Sequence, residues 1–402
     1  MNALLPALRV EVLPDIAALD RIAADWQALH AAAEGGPFSS LNWIMATMAT
    51  FGPGGDSPLL ALVWEGDRLI AGLALRKTRA RLSRHGPRAS TLRMLCDQRV
   101  GFHEVLALPG REGPAMAALA AELLADPGWT LLDLTPMLPS PALAELRQRL
   151  QSAGLALWQR PEIRRAICDM SGGFDAYLDR HSRNFRRSLR KTATAVEAGG
   201  GRVLQARGLG PDDLNLLDRA LAVSARCWKA QAGTDLGTHP EDRAFTTALW
   251  HRLAPRGALR LLLLEMPERD AAAVFMLREG RREYGWVCDF DEDFAQLSPG
   301  RFLISRALET ASADGIELVD FMRLTPFTER FADRLETYDR LRLCRPLSLP
   351  RLWIAVEERL RPLGSSLRRR YRQHSRKRGA YKDAMADAVQ DRNKEDRHGD
   401  PD

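Results

Sequence analysis

Apolar residues recur along the chain at two spacings, one strand-like and one helix-like. Residues 8–13 alternate as a short strand, and residues 15–33 place Ile16, Leu19, Ile22, Ala23, Trp26 and Leu29 on one helical face. A second helix is predicted from Asn42 to Phe51. The runs 59–64 and 69–75, joined by Glu65-Gly66-Asp67-Arg68, read as a hairpin. A strand at 104–108 follows, then an Ala/Leu-rich helix, a strand at 129–134 and a helix at 142–153. A strand at 163–169 opens a second series, with a basic helix at 174–198 that Gly199-Gly200-Gly201 stops. Helices at 211–230 and 240–253 precede a second hairpin, 258–265 with 271–277, and a strand at 282–289. Ser298-Pro299-Gly300 leads into a helix at 301–314, Gly315 ends it, and the strand 316–321 follows.

The two series share an order: hairpin, third strand, glycine-headed helix, strand holding an aspartate. Gly113 precedes Asp133 by 20 residues, and Gly300 precedes Asp320 by 20. This order predicts a duplicated α/β unit, with a helix crossing between parallel strands in each copy. Residues 1–160 form the first domain on this reading and 161–350 the second. Residues 351–402 form a helix and a basic, flexible tail whose apolar residues are too sparse for a core.

Charge sharpens that division. The 402 residues hold 58 Lys/Arg and 52 Asp/Glu, a net charge of +6. Residues 361–382 hold nine Lys/Arg and no acid, so the rest of the chain carries −3. Residues 180–191 hold six more basic residues and no acid, and without both segments the body carries −9. On the basic helix Arg183, Arg187, Arg190 and Lys191 share a face opposite Phe185, Leu189 and Ala193. That face is either solvated or contacts an anion such as a coenzyme phosphate, a polyanionic glycan, tRNA or lipid. The cluster at 368–378 points to an anionic surface, and its one aromatic, Tyr371, argues against stacking on single-stranded nucleic acid. A DNA partner is not indicated. Five dispersed cysteines with no C-x-x-C pair suggest reduced thiols and neither a zinc site nor a disulfide framework. No stretch reads as a signal peptide or an integral membrane segment. The expected location is cytoplasmic, with peripheral contact to the inner face of the membrane.

The chain lacks G-x-S-x-G, P-loop, H-E-x-x-H and G-x-G-x-x-G motifs. Eight scattered histidines offer no metal-ligand spacing, so no metal is expected. What remains is the strand–loop–helix crossing at Gly300. A helix N-terminus presents unpaired N–H groups to a phosphate, although the same residues could be only a helix-start turn.

Trp228-Lys229, Cys288-Asp289-Phe290, Ser298-Pro299-Gly300 and Asp320-Phe321 resemble the CelD/BcsL-type acetyltransferases. These belong to the GCN5-related N-acetyltransferase (GNAT) superfamily, carry two GNAT-like halves and are related to Fem-type aminoacyl transferases. The resemblance covers roughly residues 10–350. It implies an α/β fold of two tandem GNAT-like domains, mixed sheets flanked by helices, with acetyl-CoA as co-substrate. It implies a small-molecule or glycan acceptor bearing an amine or hydroxyl, in cell-envelope or exopolysaccharide metabolism. By the resemblance, Leu297, Ser298, Gly300, Arg301 and Phe302 hold the coenzyme pyrophosphate. Gln296-Leu297-Ser298-Pro299-Gly300 departs from the superfamily Gln/Arg-x-x-Gly-x-Gly/Ala loop by one residue and a proline. Thr328 stands where the family often has lysine.

Acyl transfer to an amine needs a proton acceptor, and the leaving thiolate takes a proton. Asp289 and Asp291 are candidates for base or ammonium-binding roles, and Tyr284 for an acid. The alternatives are that Asp289 caps its strand and Tyr284 packs in the interior. Trp228, Lys229 and Asp320 are expected substrate-binding residues, with structural roles open for Lys229 and Asp320. Cys288 has no histidine nearby in sequence to activate it as a nucleophile. Two other readings stand beside acetyl transfer: aminoacyl transfer from charged tRNA, and a non-catalytic GNAT-like binding module.

Overall fold

The computed structural model describes residues 8–360 apart from 15, 53–56, 84–85 and 97–98. The tail expected beyond 361 lies outside the described residues. Among the described residues, those of 8–80 and 89–346 form one compact unit, and those of 81–88 and 347–360 a smaller one.

The first series of elements is β1 (Leu8–Leu13), α1 (Ala23–Ala32), α2 (Leu41–Phe51), β2 (Ser57–Glu65), β3 (Arg68–Arg81), β4 (Arg88–Met94), β5 (Leu106–Ala107), α3 (Glu112–Ala125), β6 (Leu131–Met137), α4 (Pro141–Ser152) and β7 (Ala156–Asp169). The second is α5 (Gly173–Arg180), α6 (Arg183–Ala198), β8 (Arg202–Ala206), α7 (Pro211–Ser224), α8 (Pro240–Leu253), β9 (Leu259–Glu265), β10 (Asp270–Glu279), β11 (Arg282–Phe290), α9 (Pro299–Ala313), β12 (Leu318–Asp320) and β13 (Arg334–Cys344).

Apart from β5, which pairs with β3, the strands form one sheet in the order β1-β2-β3-β4-β6-β13-β7-β12-β11-β10-β9-β8. Read from either end, that order repeats. In each half an antiparallel meander ends in a parallel pair, β4 with β6 and β11 with β12, crossed by α3 or α9. Gly113 is the second residue of α3 and Gly300 the second of α9. Asp133 is the third residue of β6 and Asp320 the third of β12, so the two aspartates occupy the same register.

The centre of the sheet holds a feature that the sequence did not suggest. The last strand of each half leaves its own half. β7 pairs antiparallel with β12 of the second half, and β13 pairs antiparallel with β6 of the first. β7 and β13 also pair with each other along most of their length. The exchange is fastened by a repeated ion pair. Asp320 lies opposite Ile167, and Arg165, two residues before Ile167, donates to its carboxylate at 2.6 Å. Asp133 lies opposite Arg342, and Arg340, two residues before that, donates to it at 2.7 Å.

Several elements correct the sequence reading. The single helix expected at 174–198 is α5 and α6, because Ser182 caps α6 by accepting from the Phe185 N–H at 3.2 Å. The expected strand at 104–108 shrinks to β5, and β4 is the true third strand of the first half. β8 and β13 were not expected. The helix expected from residue 15 begins regularly only at Ala23, and that at 211–230 ends at Ser224. Residues 349–360 are helical, close to the expected 351–361.

Packing ties the halves together as well. Trp43 on α2 is fully buried and meets Phe245 of α8 and Trp286 of β11 edge-on, with centroids 5.3 and 5.5 Å apart. Such pairs contribute about 0.5–1.5 kcal/mol each beyond area burial. One apolar cluster runs through both halves on this side, and a second packs α6 and α9 against the other face of the second half.

Candidate active site

β11 and β12 pair for only three residues, ending at Tyr284 with Asp320. Beyond that point β12 stays with β7. The Phe321 N–H bonds to the Ala166 carbonyl at 2.9 Å, and Leu324 N–H bonds to Arg164 at 2.6 Å. Met322 takes a φ of 55°, held by its N–H on the Asp320 carboxylate at 2.6 Å. Gly285 makes the departure possible, since a Cβ there would meet the Phe321 ring at 2.7 Å. The two parallel strands therefore splay, and one backbone edge of β11 opens from Gly285 onward.

A pocket of about 670 Å³ fills the splay, within the usual range for small-molecule sites. Its walls are largely apolar, with Trp286, Phe290, Phe321 and Phe327 prominent. Trp228 stands at its rim, 53% exposed. The cations Lys229, Arg301 and Arg323 also line it. Among the described residues no aspartate, glutamate or histidine does.

The N-terminus of α9 forms one wall. Ser298 adopts a left-handed conformation, φ 51°, which turns the chain into the helix. Pro299 has no N–H to place, and the Arg301 and Phe302 N–H groups both bond to the Ser298 carbonyl. The Gly300 N–H has no backbone acceptor within the described residues. A Cβ on Gly300 would lie 3.3 Å from Cys288 Sγ and 3.7 Å from Phe290, two β11 residues that also line the pocket. Glycine lets α9 sit close against the strand. At Gly113 a Cβ would meet nothing within 4 Å.

Arg301 donates to Ser188 of α6 at 2.6 Å, so the basic helix reaches the pocket wall. Burial and the neighbouring Arg330 charge both lower the Arg301 pKa from the usual arginine value. Arg301, Arg323 and Arg330 make no carboxylate pair within the described residues. Lys229 differs. Its Nζ donates to Asp289 at 2.5 Å and to the Cys288 carbonyl at 3.1 Å. Burial opposes the Lys229 charge, but Asp289 outweighs it and holds the pKa above the ordinary lysine value.

The sequence-predicted residues divide by place. Trp228, Lys229, Ser298, Gly300 and Arg301 come together around the pocket. Leu297 and Phe302 flank it without lining it; Phe302 is buried against the α9 side of the core. Asp289 lies one layer behind, 2% exposed, accepting from Lys229 and from Ser224 Oγ at 2.5 Å. Asp291 is turned away to Arg226 at 2.7 Å and Arg269 at 2.9 Å. Burial would raise the Asp291 pKa, but these two hydrogen bonds bring it below the usual carboxylate range, so it is ionised and fully paired. Tyr284 is buried against Phe102, centroids 5.4 Å apart, and burial pushes its hydroxyl up. Asp320 sits at the floor of the splay, fully buried, accepting from Arg165, from Tyr338 Oη at 2.7 Å and from Met322 N–H. Burial pushes the Cys288 thiol up to about 12, which leaves it protonated at neutral pH.

Trp286, Phe290, Arg323 and Phe327 were missed as site residues. They depend on where two strands separate, which periodicity does not encode; only Asp320-Phe321 marked the place. Among the described residues no group of His, Cys, Asp and Glu could hold a metal ion, and no helix is long and apolar enough to cross a membrane.

Residues 180–331 match the family model described as an acetyltransferase (GNAT) domain. With the repeated strand order, this defines the fold as two tandem GNAT-like halves, mixed α/β, with the pocket in the second. No curated protein matches the chain in sequence. Among solved structures it is similar to FemX, at 10% identity and a TM-score of 0.54, over 82% of this chain and 96% of that one. It is also similar to the C-terminal domain of a putative lysylphosphatidylglycerol synthetase from Agrobacterium fabrum, at 11% identity and 0.51, over 85% and 96%. L-PGS from Bacillus licheniformis is similar at 12% identity and 0.51, over 85% and 95%. At these identities the likeness is one of fold.

Proposed function

We propose that this protein is an acyltransferase of the CelD/BcsL type, moving an acetyl group from acetyl-CoA to an amine or hydroxyl on a small-molecule or glycan acceptor of the cell envelope or an exopolysaccharide. The halves are taken as residues 1–160 and 161–350, with donor chemistry in the second. The observation that carries the reading is the pocket at the β11/β12 splay. It combines an open strand edge suited to an amide-bearing arm with a Gly300 N–H and arginines that have no acceptor or carboxylate partner, respectively, among the described residues. An extended chain of amides can add to such an edge, and a pyrophosphate suits the helix start and Arg301.

In the reaction the acceptor nitrogen attacks the thioester carbonyl, the carbon–sulfur bond breaks, and the sulfur leaves as a thiol carrying the proton that the nitrogen loses. With no carboxylate or imidazole lining the pocket among the described residues, the lining residues work by position and charge. Asp289 acts through Lys229, holding the ammonium against the Cys288 carbonyl. Lys229, whose pKa is raised, and Cys288, held at about 12, both stay protonated from pH 6 to 9. For an amine acceptor, kcat/KM is therefore expected to rise steadily over that range, following deprotonation of the acceptor. A bell with a limb between pH 6 and 7 would show that a base was overlooked. Arg301→Ala is expected to weaken CoA binding roughly tenfold, as loss of one charge-assisted hydrogen bond implies, with the deficit shrinking in salt. Calorimetry with CoA checks both the reading and the residue. No binding by the unaltered protein at millimolar CoA removes acetyl-CoA as donor.

A second reading, aminoacyl transfer from charged tRNA, draws on α6. Arg183, Arg187, Arg190 and Lys191 are exposed, without ion pairs to described residues, on the helix that contacts Arg301. Tight binding of charged tRNA, with none of CoA, favours it; binding of neither favours a non-catalytic module.

A further inference from the structure

Nine large apolar side chains are strongly exposed among the described residues, and five of them fall between residues 347 and 360: Leu347, Leu349, Leu352, Val356 and Leu360. Residues 349–360 are helical. At 3.6 residues per turn, Leu349, Leu352, Val356 and Leu360 lie within an arc of about 80°. They are 53%, 66%, 55% and 58% exposed. The opposite side of the helix is already used, since Ile354 is fully buried. Among the described residues nothing covers this stripe, which is thus a second apolar face of the helix. Isolated exposed leucines are ordinary, but a contiguous stripe marks an interaction site.

The sequence beyond the stripe indicates its occupant. Arg361 follows Leu360 directly and begins the segment 361–382, with nine Lys/Arg and no acid. An apolar protein groove would need none of these cations. A second copy seated on the stripe would bring two such segments together against their mutual repulsion. An anionic bilayer satisfies both parts, since apolar side chains enter the headgroup boundary while arginines meet lipid phosphates. We propose that the exposed stripe of helix 349–360 and the adjoining basic segment dock this chain on an anionic lipid surface. The proposal is independent of acyl transfer, and its test uses no substrate.

Full-length protein is sedimented with vesicles of phosphatidylcholine alone and of phosphatidylcholine with phosphatidylglycerol. Binding is expected on the anionic vesicles at low salt and at least tenfold weaker on the neutral ones. The Leu352→Glu/Val356→Glu double variant, altered only at exposed positions, is expected to keep its circular dichroism and melting temperature and to lose at least tenfold in vesicle affinity. Arg368→Glu/Arg369→Glu/Arg370→Glu is expected to lose a similar factor. Absence of sedimentation overturns the proposal, as does binding that the double variant leaves unchanged. A dimeric wild type made monomeric by the double variant would also overturn it and assign the stripe to a second copy.

Discussion

Gly300→Val is expected to cost at least tenfold in CoA affinity, about 1.4 kcal/mol, while Gly113→Val costs nothing measurable. The two glycines hold the same position in α9 and α3, so chain context alone would treat them alike. Their surroundings do not. A Cβ at Gly300 starts 3.3 Å from Cys288 Sγ, and the two methyls of valine extend further toward Cys288 and Phe290 of β11. The β11 backbone is paired with β10, and the Cys288 and Phe290 side chains pack against the buried cluster that includes α9, so neither neighbour retreats without cost. The first turn of α9 must move instead, carrying Ser298, the Gly300 N–H and Arg301 with it. Overpacking of this kind costs roughly 1–3 kcal/mol, which a domain of this size can absorb. Circular dichroism should show the fold retained while calorimetry shows the affinity lost. Equal losses in both variants would place the donor site in the first half or across both. Full affinity in Gly300→Val would detach the α9 start from donor binding.

The largest effect on stability is expected from Asp320→Ala, roughly 3–5 kcal/mol, or on the order of 10 °C in melting temperature. The carboxylate is fully buried and accepts from Arg165, Tyr338 and the Met322 N–H. Truncation leaves the Arg165 guanidinium with only Glu336 for a carboxylate and strands a buried hydroxyl and a buried N–H. It also releases the turn at Met322 that leads the chain away from β11, so the pocket should fail with the fold. Tyr338→Phe removes one donor and keeps the ion pair, and about 1 kcal/mol is expected for it. Chemical denaturation of both variants decides the matter. A loss below 1 kcal/mol for Asp320→Ala would mean that the pair is no more than a surface-type bridge.

Where local pattern decides structure, the sequence was legible. The hairpins β2–β3 and β9–β10 are apolar runs around short turns, and α9 shows a clear buried face. Legibility failed at β13, Arg334–Cys344, where Leu335, Leu341 and Leu343 alternate with charged residues but the phase breaks at Tyr338-Asp339. Those charges are there because of partners distant in sequence: Arg340 for Asp133 and Glu336 for Arg165. β8 is short and mostly exposed, so it carries little apolar signal. The site divides the same way. Trp228 and Lys229, marked by the resemblance, and the Ser298–Arg301 turn, marked as a strand–loop–helix crossing, come together around one pocket. The retirement of Asp291 to two arginines, and of Tyr284 to an aromatic core, depended on neighbours that no local window contains.

The exchanged strands also set an order on events at the ribosome. The first half reaches Met137 with the edge of β6 unfilled, and the strand that fills it starts about 200 residues later, at Arg334. At about 5–20 residues per second, that edge waits on the order of 10–40 s for its partner. During that interval the nascent chain offers an unpaired strand edge to anything nearby, although β7, which starts only 19 residues after β6, is synthesised long before β13.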